Sequence, residues 1–180
     1  MIFLINWHRL SWAEHSFAPI SVESVVSIFT SIDENVICIT RNNTEHSLSS
    51  FSLFEFELEG LTWPSVEHYF QAMKFSAGDY QTLIREADTA KKAQKLGRTR
   101  FKKVRADWKD VREVIMTRGV YTQCRTHTEL AEWLLNTGDQ ALVDNTQYDY
   151  FWGCGRDRRG ENAYGKVLMK VRDKLREEAL

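Results

Sequence analysis

The chain has 180 residues, 43% of them hydrophobic, with 24 basic and 25 acidic side chains and a formal net charge of −1. That length suits one folded domain with an extra element at one end, and the apolar fraction excludes global disorder. A chain so close to neutral is no polycation, so affinity for phosphate or nucleic acid has to come from a local patch. Cys38, Cys124 and Cys154 are too few and too far apart for a disulfide framework and point to a reducing, cytoplasmic compartment. The five histidines form no close pair and there is no CxxC, so no structural zinc site is expected; no motif here calls for a metal or other cofactor.

The opening "MIFLINWHRLSW" is a short apolar run broken by Asn6, His8 and Arg9, which predicts neither a signal peptide nor a membrane span. Residues 1–35 are set apart as an N-terminal extension of unassigned structure, and 36–180 as the domain. "VICIT" (36–40) is β-branched and predicts a short strand. The polar stretch "RNNTEHSLSS" follows. "FEFEL" (54–58) alternates, which puts Phe54, Phe56 and Leu58 on one face of a second strand, and Glu59-Gly60 turns the chain. Pro64 fits a first helical turn, and Val66, Tyr69, Phe70 and Met73 follow with the spacing of a buried helical stripe, ended by Gly78. Asp79, Thr89 and Asp107 are placed to cap three more helices. Leu130, Trp133 and Leu134 mark another; "ALVDNT" (141–146) is ambiguous. A last helix starts near Glu161, with Tyr164, Val167, Leu168, Val171 and Leu175 facing inward. The fold class is α+β: a mainly helical single domain with a few short N-terminal strands.

Three stretches carry chemistry. In "TWPSVEHYFQAMKF" (62–75), Glu67, Gln71 and Lys74 fall within roughly a 60° arc of one helix. A carboxylate, an amide and an amine there can activate water, hold a hydroxyl and grip an anion; the same spacing also fits an ordinary polar flank. His68 projects away from that arc. In "DYFWGCGRDRRGENAYG" (149–165), Gly153, Gly155 and Gly160 lead into a helix, an arrangement that lets backbone N–H groups approach an anion. Arg156, Arg158 and Arg159 add charge, and Trp152 offers a flat face. A flexible turn with Trp152 in the core fits equally well. Residues 91–112 hold ten Lys or Arg against two Asp, with Phe101 and Trp108 among them. This is either a phosphate-binding patch, with Arg98 and Arg100 as its better anchors, or a solvated basic face.

Three segments together, "TWPSVEHYFQAMKF" (62–75), "LGRTRF" (96–101) and "YFWGCGRDRRGENAYGKVLMKVR" (150–172), resemble the NADAR family, over about residues 36–176. The resemblance implies an N-glycosidase that cuts the bond between ribose C1 and a heterocycle nitrogen. One substrate class is the phosphoribosylamino-pyrimidine intermediates of riboflavin synthesis. The alternatives are ADP-ribose on modified guanine in nucleic acid, or a module that binds ADP-ribose or nucleic acid without cutting. It implies Glu67, Lys74 and Asp149 as catalytic residues. Gln71, Arg98, Arg100, Trp152, Gly153, Gly155 and Asn162 would bind substrate. The expected partner is a phosphorylated ribosyl small molecule, with ADP-ribosylated nucleic acid as the other choice. The oligomeric state is left open. Two chemical routes follow: water activated by Glu67, or attack on C1 by Lys74 through a Schiff base. The sequence departs from the family pattern where Cys38-Ile39 replaces Phe-Tyr and Ser50 replaces an asparagine.

Overall fold

A computed structural model describes residues 35–179. The predicted extension, apart from Asn35, lies outside the described residues. The elements in chain order are β1 (Val36–Ile39), β2 (Phe56–Leu58), β3 (Leu61–Trp63), α1 (Val66–Ala72), α2 (Asp79–Arg85), α3 (Ala90–Gly97), α4 (Trp108–Thr126), α5 (Thr128–Asn136), β4 (Ala141–Asp144) and α6 (Ala163–Ala179). The predicted α+β class, helical with short strands, is what the chain adopts.

Two small sheets frame the helices. β2 and β3 form an antiparallel hairpin, Phe56 opposite Trp63, turned by Glu59 and Gly60 with both φ angles positive. Positive φ at both central residues is the turn that matches strand twist. The ambiguous "ALVDNT" begins as β4, which pairs in parallel with β1 in the register Val36↔Ala141 to Ile39↔Asp144.

The centre of the domain is α1. All seven of its residues are buried, and it packs against α2, α3, α4 and β3. A helix hemmed in on every side has no solvated flank, so its polar residues must find partners inside the protein. The helix is shorter than predicted and starts later. Ser65 is its N-cap, accepting from the backbone N–H of His68, which leaves Pro64 outside the first turn. It ends at Ala72, well before Gly78.

Two other predicted caps differ. Gly78, rather than Asp79, precedes α2, and the Asp107 carboxylate bonds Arg105 at 2.6 and 2.8 Å instead of its own helix. Thr89 caps α3 by accepting from Lys92 N–H at 3.1 Å. Phe54 packs against the core although the strand starts only at Phe56.

Candidate active site

Glu67, in the first turn of α1, is 0% exposed. A carboxylate so placed needs donors. It has three. Gln71 Nε2, one turn on, donates to Oε1 at 2.6 Å. Ser50 Oγ donates to Oε2 at 3.1 Å, and Arg41 Nη1 to the same oxygen at 2.9 Å. The turn carrying Ser50 is tied to the helix itself, because Glu67 N–H donates to Ser50 C=O at 2.7 Å. Ser50, the departure from the family pattern, therefore bonds the very residue the pattern centres on.

Arg41, 4% exposed, was not singled out by the sequence. It follows β1 in a turn-rich stretch, and nothing in the local pattern marks it as buried. Its guanidinium also meets Asp149 Oδ2 at 3.5 Å. It lies about 6 Å from three ring centroids, at 5.9 Å for Phe51, 5.7 Å for Trp152 and 6.0 Å for Tyr164. Its backbone is pinned as well: Arg41 N–H donates to Asp144 Oδ1 at 3.2 Å, and Arg41 C=O accepts from Ser49 Oγ.

Lys74 sits just past the end of α1, half-buried. Its Nζ donates to Gly97 C=O at 3.2 Å and lies 5.7 Å from the rings of both Phe70 and Trp108. Burial lowers its pKa to about 8, against an upward pull from Glu67 and a further lowering by Arg98 and Arg41. At pH 7 roughly a tenth of Lys74 is then neutral amine, against roughly one part in three thousand for an ordinary lysine. Gly97 is needed where it is, since a Cβ there would overlap Gln71 Oε1.

Asp149 opens the glycine loop. Its Oδ1 accepts from Phe151 N–H at 3.1 Å and Trp152 N–H at 2.8 Å, leaving Oδ2 toward Arg41. Trp152 is 7% exposed, edge-on to Phe70 and Phe151 at 5.3 and 4.9 Å. Arg112 of α4 stacks on Phe151 at 3.2 Å.

The rest of the loop is packed on itself. A Cβ at Gly153 would meet Thr146 C=O at 2.8 Å, one at Gly155 the Tyr150 ring at 2.6 Å, and one at Gly160 would overlap Gly153 C=O. The backbone N–H groups of Ala163 and Tyr164, at the start of α6, donate to Phe151 and Trp152 carbonyls at 3.0 Å each. Asn162 staples the loop to β4, accepting from Asp144 N–H at 2.8 Å and donating to Leu142 C=O at 2.9 Å. Arg156, Arg158 and Arg159 are exposed, as are Arg98 and Arg100.

Thus Glu67, Gln71, Lys74, Asp149 and Trp152 converge, with Arg41 between two of the acids. Arg98 reaches this cluster by its charge. Asn162, Gly153 and Gly155 shape the loop beside it. A cleft of about 280 Å³ adjoins Arg41, lined by Asn42, Thr44, Phe51, Lys91 and Gln94. His68 is a packed residue. Its Nε2 faces Ala87 C=O at 3.0 Å and so carries the proton, its Nδ1 faces Ser65 Oγ at 2.7 Å, and burial lowers its pKa. Among the described residues no group of three or more His, Cys, Asp or Glu could hold a metal, and no helix is long and apolar enough to cross a membrane.

Known proteins share this arrangement of sequence and fold. The N-glycosidase YbiA of Escherichia coli is 37% identical over 127 residues, covering 71% of this chain and 79% of that protein. The N-glycosidase Npun_R5314 of Nostoc punctiforme is 40% identical over 131 residues, covering 71% and 84%. The riboflavin biosynthesis protein VVA0006 of Vibrio vulnificus is 39% identical over 132 residues, which is 73% of this chain but 36% of that longer protein. The NMR structure of E. coli YbiA superposes with a TM-score of 0.74 at 33% identity, covering 85% of this chain and 92% of that one. The NADAR domain matches residues 29–176, and the chain belongs to that family.

Proposed function

We propose that this protein is an N-glycosidase hydrolysing the C1–N bond of ribosylated nitrogen heterocycles, with phosphoribosylamino-pyrimidine intermediates of riboflavin synthesis as its substrate class. The observation that carries the reading is the contrast between two groups at one site. Glu67 is sealed and fully engaged by donors, whereas the Lys74 amine is half-open, carries a depressed pKa of about 8 and has one weak partner. A nucleophile has to be reachable and unprotonated. Lys74 is half-buried rather than sealed and carries a fraction of neutral amine near pH 7, whereas Glu67 has no exposed oxygen from which to activate water. The relatives' names, N-glycosidase and riboflavin biosynthesis protein, support the same bond and the same substrate class.

On this reading the neutral Lys74 Nζ adds to C1. The C1–N bond breaks, its electron pair goes to the heterocycle nitrogen, and a proton is delivered there as the base leaves. The C1–ring-oxygen bond then breaks, its electron pair goes to the oxygen, and the remaining N–H proton passes to that oxygen as the imine forms between Nζ and C1. Water adds to the imine, releases the sugar and returns the lysine. Glu67 holds the Arg41, Ser50 and Gln71 frame and supplies negative charge where positive charge builds on the sugar. We assign the proton transfer to Asp149, which takes the proton that Nζ loses on bonding C1 and passes it to the leaving nitrogen.

Borohydride added during turnover tests this. A ribosyl adduct on Lys74, found by peptide mass spectrometry, is the expected result. Full turnover with no trapped adduct overturns the covalent route. A second reading, removal of ADP-ribose from nucleic acid, is favoured by Phe101, which is 96% exposed in the basic segment after α3. Parallel incubation with ADP-ribosylated DNA and with phosphoribosylamino-pyrimidines, scored by released base, ranks the two.

A further inference from the structure

The residue at the hub of this cluster belongs to neither the predicted site nor the reaction as written. Arg41 bonds Glu67 through Nη1 and reaches Asp149 through Nη2, while Asp144 fixes its backbone from β4. It comes from the loop after β1, Glu67 from α1 and Asp149 from the glycine loop, so one guanidinium joins three separate parts of the fold. Its Nε has no partner among the described residues. A buried cation with two acids and one spare donor is more than packing needs, since an apolar side chain of similar volume would cost less to bury.

The groups facing Lys74 explain what Arg41 does there. Burial is the main cause that lowers the Lys74 pKa; of the charges, Glu67 draws a proton to it, and Arg98 and then Arg41 repel one. The Phe70 and Trp108 rings bracket the amine. Arg105, whose N–H bonds Lys74 C=O at 2.9 Å, has its own charge matched by Asp107. Without Arg41, Lys74 becomes the principal cation left to answer Glu67. We propose that Arg41 is the positioning residue of the site: by holding Glu67 and Asp149 it keeps Glu67 from pairing with Lys74 and leaves the lysine amine able to attack. This rests on the reading of Lys74 as the reacting group.

The test uses the full chain as wild type, Arg41→Met, Arg41→Gln and Arg41→Lys. Two readouts are taken over about pH 6 to about pH 10, a range that brackets an ordinary and a depressed lysine. One is the rate of Lys74 acetylation by acetic anhydride, read on the Lys74 peptide; the other is kcat/KM for base release. In Arg41→Met the midpoint of Lys74 labelling moves up, because the Glu67 charge that Arg41 holds is released toward the amine. Its kcat/KM then falls about tenfold at neutral pH and recovers at alkaline pH. Arg41→Lys restores the cation and returns the midpoint toward wild type. A purely structural arginine would lower activity evenly across pH and leave both midpoints in place; that outcome overturns the proposal. If Arg41→Met does not fold by circular dichroism, Arg41→Gln carries the test, since it keeps a donor for Glu67 but no charge. An unmoved midpoint in Arg41→Gln overturns the proposal as well. A wild type that releases no base from any ribosyl substrate defeats the glycosidase reading alone, because the labelling midpoints still decide whether Arg41 governs Lys74.

Discussion

The helix α1 and the glycine loop 149–162 both look like ligand sites in sequence, yet the protein builds them in opposite ways. The helix is buried on all sides; Glu67 and His68 are bonded to groups brought from elsewhere in the chain, and Gln71 is bonded to Glu67. The loop has its glycines pressed against its own carbonyls and rings, its N–H groups at the start of α6 already donated inward, and its three arginines outside. A polar residue with no route to water is forced into a network, and networks can do chemistry. A glycine-rich turn can be rich in glycine simply because nothing larger fits.

The largest effect that sharpens this contrast is on the helix side. Lys74→Met is expected to cut base release by about 10⁴-fold or more, as loss of a nucleophile does, measured by mass spectrometry of free base. The same change should stabilise the fold at neutral pH. A lysine with a folded pKa of about 8, below its usual 10.5, burdens the folded state fully below about pH 8. That burden lifts as pH rises toward the unfolded value. Thermal melts at pH 7 should therefore show Lys74→Met a few degrees above wild type, by about 2–4 °C per kcal/mol, with the gap closing near pH 10. A lower Tm at pH 7 would contradict the buried-amine description.

Glu67→Ala comes next. It leaves Arg41 buried with Asp149 at 3.5 Å as its remaining acid and the Ser50 hydroxyl at 3.3 Å, and removing one partner of a buried pair costs about 3–5 kcal/mol. Urea denaturation should show that loss, and a smaller one for Glu67→Gln. On the loop side, Gly160→Ala drives a Cβ into the Gly153 and Cys154 backbone, an overpacking expected to cost about 1–3 kcal/mol. If the loop is architecture, Gly160→Ala folded at low temperature keeps its pH profile. A changed profile would put the loop in the chemistry and break the contrast. The smallest effect belongs to Arg156→Ala, Arg158→Ala and Arg159→Ala together. Stability should stay within about 0.5 kcal/mol per site. A large rise in KM for a phosphorylated ribosyl substrate would give these arginines a ligand role.

How much of this was legible follows from sequence distance. Glu67, Gln71 and Lys74 lie within two turns, so helical spacing alone places them on one side, and the adjoining aromatic residues mark the helix as core. Asp149 and Trp152 are recognisable as a local turn before α6. Arg41 was not legible, because the contact that buries it is 26 positions away and its neighbours are polar turn formers. The β1–β4 pair was hidden for the same reason. A four-residue strand carries little signal, and its partner lies more than a hundred positions on. Pro64 misled the placement of the helix start because proline suits the position before an N-cap serine as well as the first turn. Buried α1 also shows why the polar-flank reading failed: periodicity finds one face of a helix and cannot count how many neighbours surround it.

The parallel pairing of β1 with β4 has a kinetic consequence. Arg41 and Asp144 are 103 positions apart, so bringing them together closes a loop spanning most of the domain, and non-local closure is slow. The helices can form from near neighbours, but the Arg41 backbone is fixed on β4, and its guanidinium meets Asp149, only when the two ends of that loop meet. The complete Arg41–Glu67–Asp149 network is then expected to close late in folding rather than with the bulk of the structure. Pulse-labelled hydrogen exchange during refolding measures it directly: the Arg41 amide should gain protection after those of α4, and protection of Arg41 ahead of α4 would refute the ordering.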